Sequence, residues 1–169
     1  MVKPKKEIAS FSICTARPMH PIVNGLPELL SRIESRKGAH FGPRRNPITG
    51  LEELHDGIDL PCGTGTKIRA PWDGEVDECF ESPKGGLSLI IYHEEEHLKS
   101  GYAHLRATIG SVDKGDLVRR GEPIAVSGST GKSTGPHLHF TIRRETAIEK
   151  DWVKVDPLPF LESAGPDRK

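Results

Sequence analysis

The chain reads as an all-β domain of mainly antiparallel sheets, with one short helix near its N-terminus. Three observations predict this. The 169 residues include 18 Gly and 14 Pro but few long apolar runs, which suits a turn-rich β domain. After residue 56, short β-like runs follow one another, each bounded by Gly, Pro, Asp or Ser. No long helical period intervenes between them.

Along the chain, an apolar patch from Ala9 to Ile13 leaves room for an early strand. Leu26, Leu29, Leu30 and Ile33 then recur at helical spacing, Pro27 suits a first turn and Gly38 a stop, predicting a helix at about 27–36. Gly42, Pro43, Asn46-Pro47 and Gly50 read as a loop. Strands are expected at Gly57–Leu60, Lys67–Ala70, Gly74–Phe80, Leu87–Tyr92, Gly101–Leu105, Pro123–Ser127 and His137–Arg143, and an extended tail at Trp152–Leu161. The length suffices for one core and not for two ordinary domains. We divide it into an N-terminal extension (1–38), a main domain (39–162) and a flexible tail (163–169).

Lysine plus arginine and aspartate plus glutamate both number 24, so the formal charge is zero. Nothing in that balance draws the chain to nucleic acid or an anionic membrane. The apolar stretch nearest the N-terminus, Ile8–Cys14, is short and broken by serines, so neither a secretory core nor a membrane span is expected. Cys14, Cys62 and Cys79 show no CxxC pairing and are read as reduced.

Chemistry-bearing residues cluster in three short segments. In His55-Asp-Gly-Ile-Asp59-Leu-Pro, Gly57 and Pro61 disfavour a helix, so a turn leads into a strand that carries Asp59. In His137-Leu-His139-Phe, strand alternation puts both histidines on one face and Leu138 and Phe140 on the other. Tyr102-Ala-His104-Leu adds a third strand histidine. Two histidines and a carboxylate are a catalytic zinc donor set that leaves one position for water. Each spacing alone fits an ordinary surface or hydrogen-bonded histidine equally well.

A different zinc pattern, H-E-x-x-H, occurs at His93-Glu-Glu-Glu-His97. It binds metal only on a helix, where positions i and i+4 share a face. Here β-like runs flank it at hairpin distance, and three adjacent glutamates fit a solvated loop tip, so it is read as a turn.

Taken in order, these segments resemble the lysostaphin/LytM-type family of peptidoglycan endopeptidases over about residues 40–161. The resemblance is carried by Phe41-Gly-Pro-Arg-Arg-Asn-Pro-Ile-Thr-Gly50, His55-Asp-Gly-Ile-Asp59, Gly63-Thr-Gly-Thr66, Ala70-Pro and Asp73-Gly. It continues through Tyr102-Ala-His104-Leu, Lys114-Gly, Gly121, Gly128, Ser129-Thr-Gly-Lys-Ser-Thr-Gly-Pro-His137-Leu-His139-Phe and Val155-Asp-Pro. It implies the family's fold, one Zn2+ held by His55, Asp59 and His139, and His104 and His137 as non-ligand catalytic histidines. The sequence leaves open which of these two is the general base; we take His137 as the base and His104 as the oxyanion donor. The implied partner is bacterial peptidoglycan peptide, cut by a metalloendopeptidase.

Residues 1–38 match nothing in that family. Since no export signal or wall-targeting module is recognisable, a bacteriophage protein is the expectation: a lysin released from host cytoplasm, or a virion component beside tail proteins. The alternatives are a non-catalytic structural or tail component and an activator of another wall hydrolase.

Overall fold

The computed structural model describes residues 19–22, 38–110, 112–146 and 151–164. The helix predicted at 27–36, the strand suggested at 9–13 and most of the tail lie outside them.

Eleven strands and one short helix form in chain order among these residues. They are β1 Gly42–Arg45, β2 Glu52–His55, β3 Ile58–Leu60, β4 Lys67–Arg69, β5 Gly74–Ser82 and β6 Gly86–His93. There follow β7 Leu98–Thr108, β8 Leu117–Val118, β9 Pro123–Ser127, β10 Leu138–Glu145, β11 Trp152–Val155 and α1 Leu158–Glu162. All pairings are antiparallel. The main sheet has nine strands in the path β11-β10-β7-β6-β5-β8, with β3 beside β10 and β9 bridging β7 to β4. The all-β expectation holds, and β10 shows the alternation most plainly. On β10, Leu138, Phe140 and Ile142 enter the core while His139, Thr141 and Arg143 face the other way. Phe140 packs on Tyr102 with ring centroids 5.5 Å apart, and Ile58, Leu60, Leu89 and Ile91 complete the same layer.

Three details depart from the sequence reading. The segment read as a loop around residues 42–50 belongs to a two-stranded ribbon, β1–β2. Its registers pair Arg44 with Glu53 and Arg45 with Glu52. The Arg44 Nε donates to Glu53 (3.0 Å) and the Asn46 Nδ2 to the other oxygen of Glu53 (2.7 Å). Cross-strand charge pairs stabilise this ribbon, and they leave no apolar alternation to detect. The tail is extended only through β11. It then makes one turn of helix, with Pro157 at its start and Leu161 buried in the core. Prolines are tolerated there because first-turn N–H groups lack intrahelical partners anyway. Finally, residues 19–22 of the N-terminal extension pack on the domain, a contact the sequence reading does not address. Arg69 donates its backbone N–H to Pro21, Met19 donates to Pro71 (both 2.9 Å), and Ile22 bridges to Ile68 in the core.

The feature that matters most for the site is a kink in β7. Residues 98–103 pair with β10, and residues 105–108 pair with β9. His104 stands at the changeover with φ of 60°, and its backbone N–H goes to Gly85 (2.7 Å). A non-glycine residue in this conformation is strained and persists only because the strands on both sides fix it.

Candidate active site

Three strands bring the metal candidates together. Asp59 on β3 and His139 on β10 are direct cross-strand partners, and Ala103 on β7 lies on the other side of His139. His55 ends β2 and turns back toward them. This turn depends on Gly57: a Cβ there would lie 2.5 Å from the Phe140 carbonyl oxygen and 2.9 Å from His139 Cε1. Only a residue without a side chain lets the turn lie flat against β10.

The donors of His55, Asp59 and His139 converge. His55 Nε2 is 3.2 Å from Asp59 Oδ1 and 3.1 Å from His139 Nδ1, and His139 Nδ1 is 2.9 Å from Asp59 Oδ1. These separations approach the edge of about 3.3 Å expected for a tetrahedron with bonds of about 2.0–2.1 Å. The hydrogens are fixed from outside the cluster. The Nδ1–H of His55 donates to the His40 carbonyl (2.7 Å), and the Nε2–H of His139 donates to Asp56 (3.1 Å). The inward nitrogens are therefore lone pairs, facing each other and a carboxylate. Only a cation reconciles three such acceptors, so the residues fit a divalent metal. Among the described residues these three form the group able to hold one.

Electrostatics agree. Burial pushes the Asp59 carboxyl up, but His139 and His55, which donate to it whenever their inward nitrogens are protonated, outweigh burial and hold the group well below the carboxylate range. The other oxygen of Asp59 accepts from the Arg44 guanidinium at 3.0 Å. Burial presses His139 down, while Asp56 and Asp59 more than offset this and raise it. Without metal, a second proton on His139 is the alternative way to relieve the cluster.

His104 and His137 stand beside this group, their ring centroids 4.6 Å apart. Both are anchored alike: the Nδ1–H of His104 donates to Thr130 and that of His137 to Gly135, each at 2.8 Å. Each thus offers Nε2 to the site, and that of His137 lies 3.6 Å from Asp59 Oδ1. Burial, with His137 and His139 nearby, lowers the pKa of His104 although the Thr130 carbonyl opposes this. The Thr130 anchor is rigid because two glycines let its loop press on the β5–β6 turn. A Cβ on Gly131 would sit 2.3 Å from the Gly86 nitrogen.

All five residues singled out in the sequence therefore meet in one place. They line a groove of about 570 Å³ together with the exposed apolar side chains of Ile48, Leu51, Leu54 and Phe80. The H-E-x-x-H segment is a hairpin turn as expected. His93 is buried, its Nδ1–H donating to the Asp73 carbonyl (2.8 Å) and its Nε2 meeting Ser100 Oγ (2.7 Å). Burial takes its pKa down to about 4. His97 lies exposed in the turn itself. Cys62 and Cys79 are free thiols, and no helix among the described residues is long and apolar enough to cross a membrane.

Sequence reasoning assigned no role to Asp56, Arg44 or Lys154. Asp56 had a faint signal, as a carboxylate next to a ligand. Lys154, 98 residues from its partner Asp56, had none.

Comparison with known proteins agrees with this geometry. The chain is 37% identical over 131 residues to the peptidoglycan DD-endopeptidase ShyB of Vibrio cholerae, covering 76% of this chain and 29% of that protein. It is also 37% identical over 131 residues to lysostaphin of Staphylococcus simulans, covering 77% and 25%. The chain thus spans between a quarter and a third of the length of these relatives. Among solved structures, the catalytic domain of S. simulans lysostaphin superposes with a TM-score of 0.64 at 32% identity, covering 80% of this chain and 98% of that one. A zinc-containing peptidase from V. cholerae gives 0.56 at 31% identity, covering 78% and 39%. The model of peptidase family M23 matches residues 53–157, and with the site built from that stretch the chain belongs to this family.

Proposed function

We propose that the protein is a zinc-dependent endopeptidase that hydrolyses peptide cross-links of bacterial peptidoglycan. The observation that carries this reading is the convergence of two imidazole lone pairs and one carboxylate at 2.9–3.2 Å, with two non-ligand histidines alongside in an open groove. Its relatives named as peptidoglycan and glycyl-glycine endopeptidases support the substrate class.

His55, Asp59 and His139 hold the ion. When bound, zinc lowers the pKa of water to about 7 and polarises a carbonyl as a Lewis acid. The chain's own residues do the rest. The groove takes an extended peptide and positions one carbonyl over the donors. His137 is the general base, since its Nε2 lies beside Asp59 and its Nδ1 is tied to the loop backbone. His104, placed by the kink in β7 beside His137, is the oxyanion donor once its Nε2 carries a proton in addition to the Nδ1–H held by Thr130. The proton taken by His137 then leaves on the departing amine.

Zymography on cell walls tests the reading. Clearing is expected with the zinc-loaded protein, should vanish with chelator and return with zinc, and should be lost together with the metal in His139→Ala. Intact walls under zinc-loaded protein would point instead to the non-catalytic module or the activator. The bacteriophage origin is a separate proposal, checked by looking for the chain in purified virions.

A further inference from the structure

The turn between the two nearer ligands carries a second carboxylate that the mechanism above does not use. Asp56 Oδ1 accepts from His139 Nε2 at 3.1 Å, and its Oδ2 accepts from Lys154 Nζ. Lys154 comes from β11. Along one edge of β10, β3 pairs with residues 138–140 and β11 with 142–145, so Asp56, just before β3, meets Lys154 near where one partner strand gives way to the other. The contact depends on the same close approach at Gly57 that brings His55 into the site.

His139 has a choice to make. An imidazole binds metal through whichever nitrogen lacks a hydrogen, and a hydrogen bond at the other nitrogen selects the tautomer and ring angle. His55 has a backbone carbonyl for this purpose, and Asp59 has Arg44. For His139 the corresponding group is a side chain, which is itself held by another side chain from the far end of the domain.

We propose that Asp56, braced by Lys154, is the positioning residue for His139: it holds the hydrogen on Nε2 and aims Nδ1 at the metal. The inference rests on the metal site described above and adds a residue pair to it. It also ties the last strand of the domain to metal retention, since Lys154 is the link between β11 and the cluster.

The test is zinc affinity, measured by competition with a chromophoric chelator, on the parent and on Asp56→Ala, Asp56→Asn and Lys154→Met. Asp56→Ala should bind zinc about 10- to 100-fold more weakly, the cost typical of removing an outer-shell partner. Asp56→Asn, which keeps an oxygen facing Nε2, should retain part of the affinity. Lys154→Met should lose on the order of two- to fivefold, as for a half-exposed ion pair. Nitrogen-detected NMR of the zinc-free parent at alkaline pH, where the ring is neutral, should show His139 protonated at Nε2 and bare at Nδ1, a signature that a merely structural role for Asp56 would not require. Affinity in Asp56→Ala within twofold of the parent, or the opposite His139 tautomer, would overturn the proposal. A parent that binds no zinc would instead sink the metal site itself.

Discussion

At the scale of single residues, the proposed mechanism separates holding the metal from proton transfer. His139 lies on β10 and His137 immediately before that strand, yet one offers Nδ1 to the ligand cluster and the other offers Nε2 beside it. The difference lies in what binds the remote nitrogen, a carboxylate in one case and a loop carbonyl in the other. His137→Ala should therefore keep zinc while losing about 100-fold or more in turnover, the usual contribution of one proton-transfer group. A variant that loses zinc would show that His137 is a ligand. A pH dependence follows from the same cluster. The zinc-free His139 has its pKa raised, so protons compete with the metal from above the ordinary imidazole value of about 6.5. As pH falls through that range the site should release zinc. Isothermal titration across pH should show proton release on binding and weaker affinity on the acid side. Full affinity at pH 5 would contradict the assignment of His139 as ligand.

At the scale of elements, two close backbone contacts do what side chains cannot. The turn at Gly57 lies on β10, and the loop at Gly131 lies on the β5–β6 turn. Gly57→Ala would drive a methyl into the Phe140 carbonyl region, lifting the turn and parting His55 from His139. We expect at least a tenfold loss of zinc affinity together with a lower melting temperature, read by chelator competition and circular dichroism. Unchanged affinity would mean that the turn can shift without cost to the site. The kink at His104 belongs to this scale as well, because it arises where one strand changes partners. No local motif announces such a change. The string Tyr102-Ala-His104 reads as an ordinary strand.

For the whole molecule, metal and fold should be linked. The candidate ligands come from β2, β3 and β10, so zinc bound there would cross-link segments that unfolding separates. An unfolded chain does not present these donors together, and zinc at about 1,000 times its dissociation constant should add about 4 kcal/mol to stability. Chemical denaturation with zinc and with chelator measures this difference. Curves that coincide would place the metal outside the cooperative unit.

The amino-acid order alone determined the all-β class and most of the strand positions, and it singled out the five residues that the fold brings together. These properties are written in alternation, in turn residues and in short strings such as His55-Asp-Gly-Ile-Asp59 and His137-Leu-His139. It left unseen the β1–β2 ribbon, whose strands hold together through charge pairs instead of an apolar stripe. It also left unseen the docking of residues 19–22 and the one-turn helix after β11. Above all, it gave no sign of what surrounds each ligand. Arg44 on Asp59, and Lys154 on Asp56 on His139, are contacts between residues with no fixed spacing, created by the register of β3, β10 and β11. Spacing reveals which groups can bind a metal. Only the folded sheet decides which nitrogen each ring presents, because that depends on neighbours brought from elsewhere in the chain.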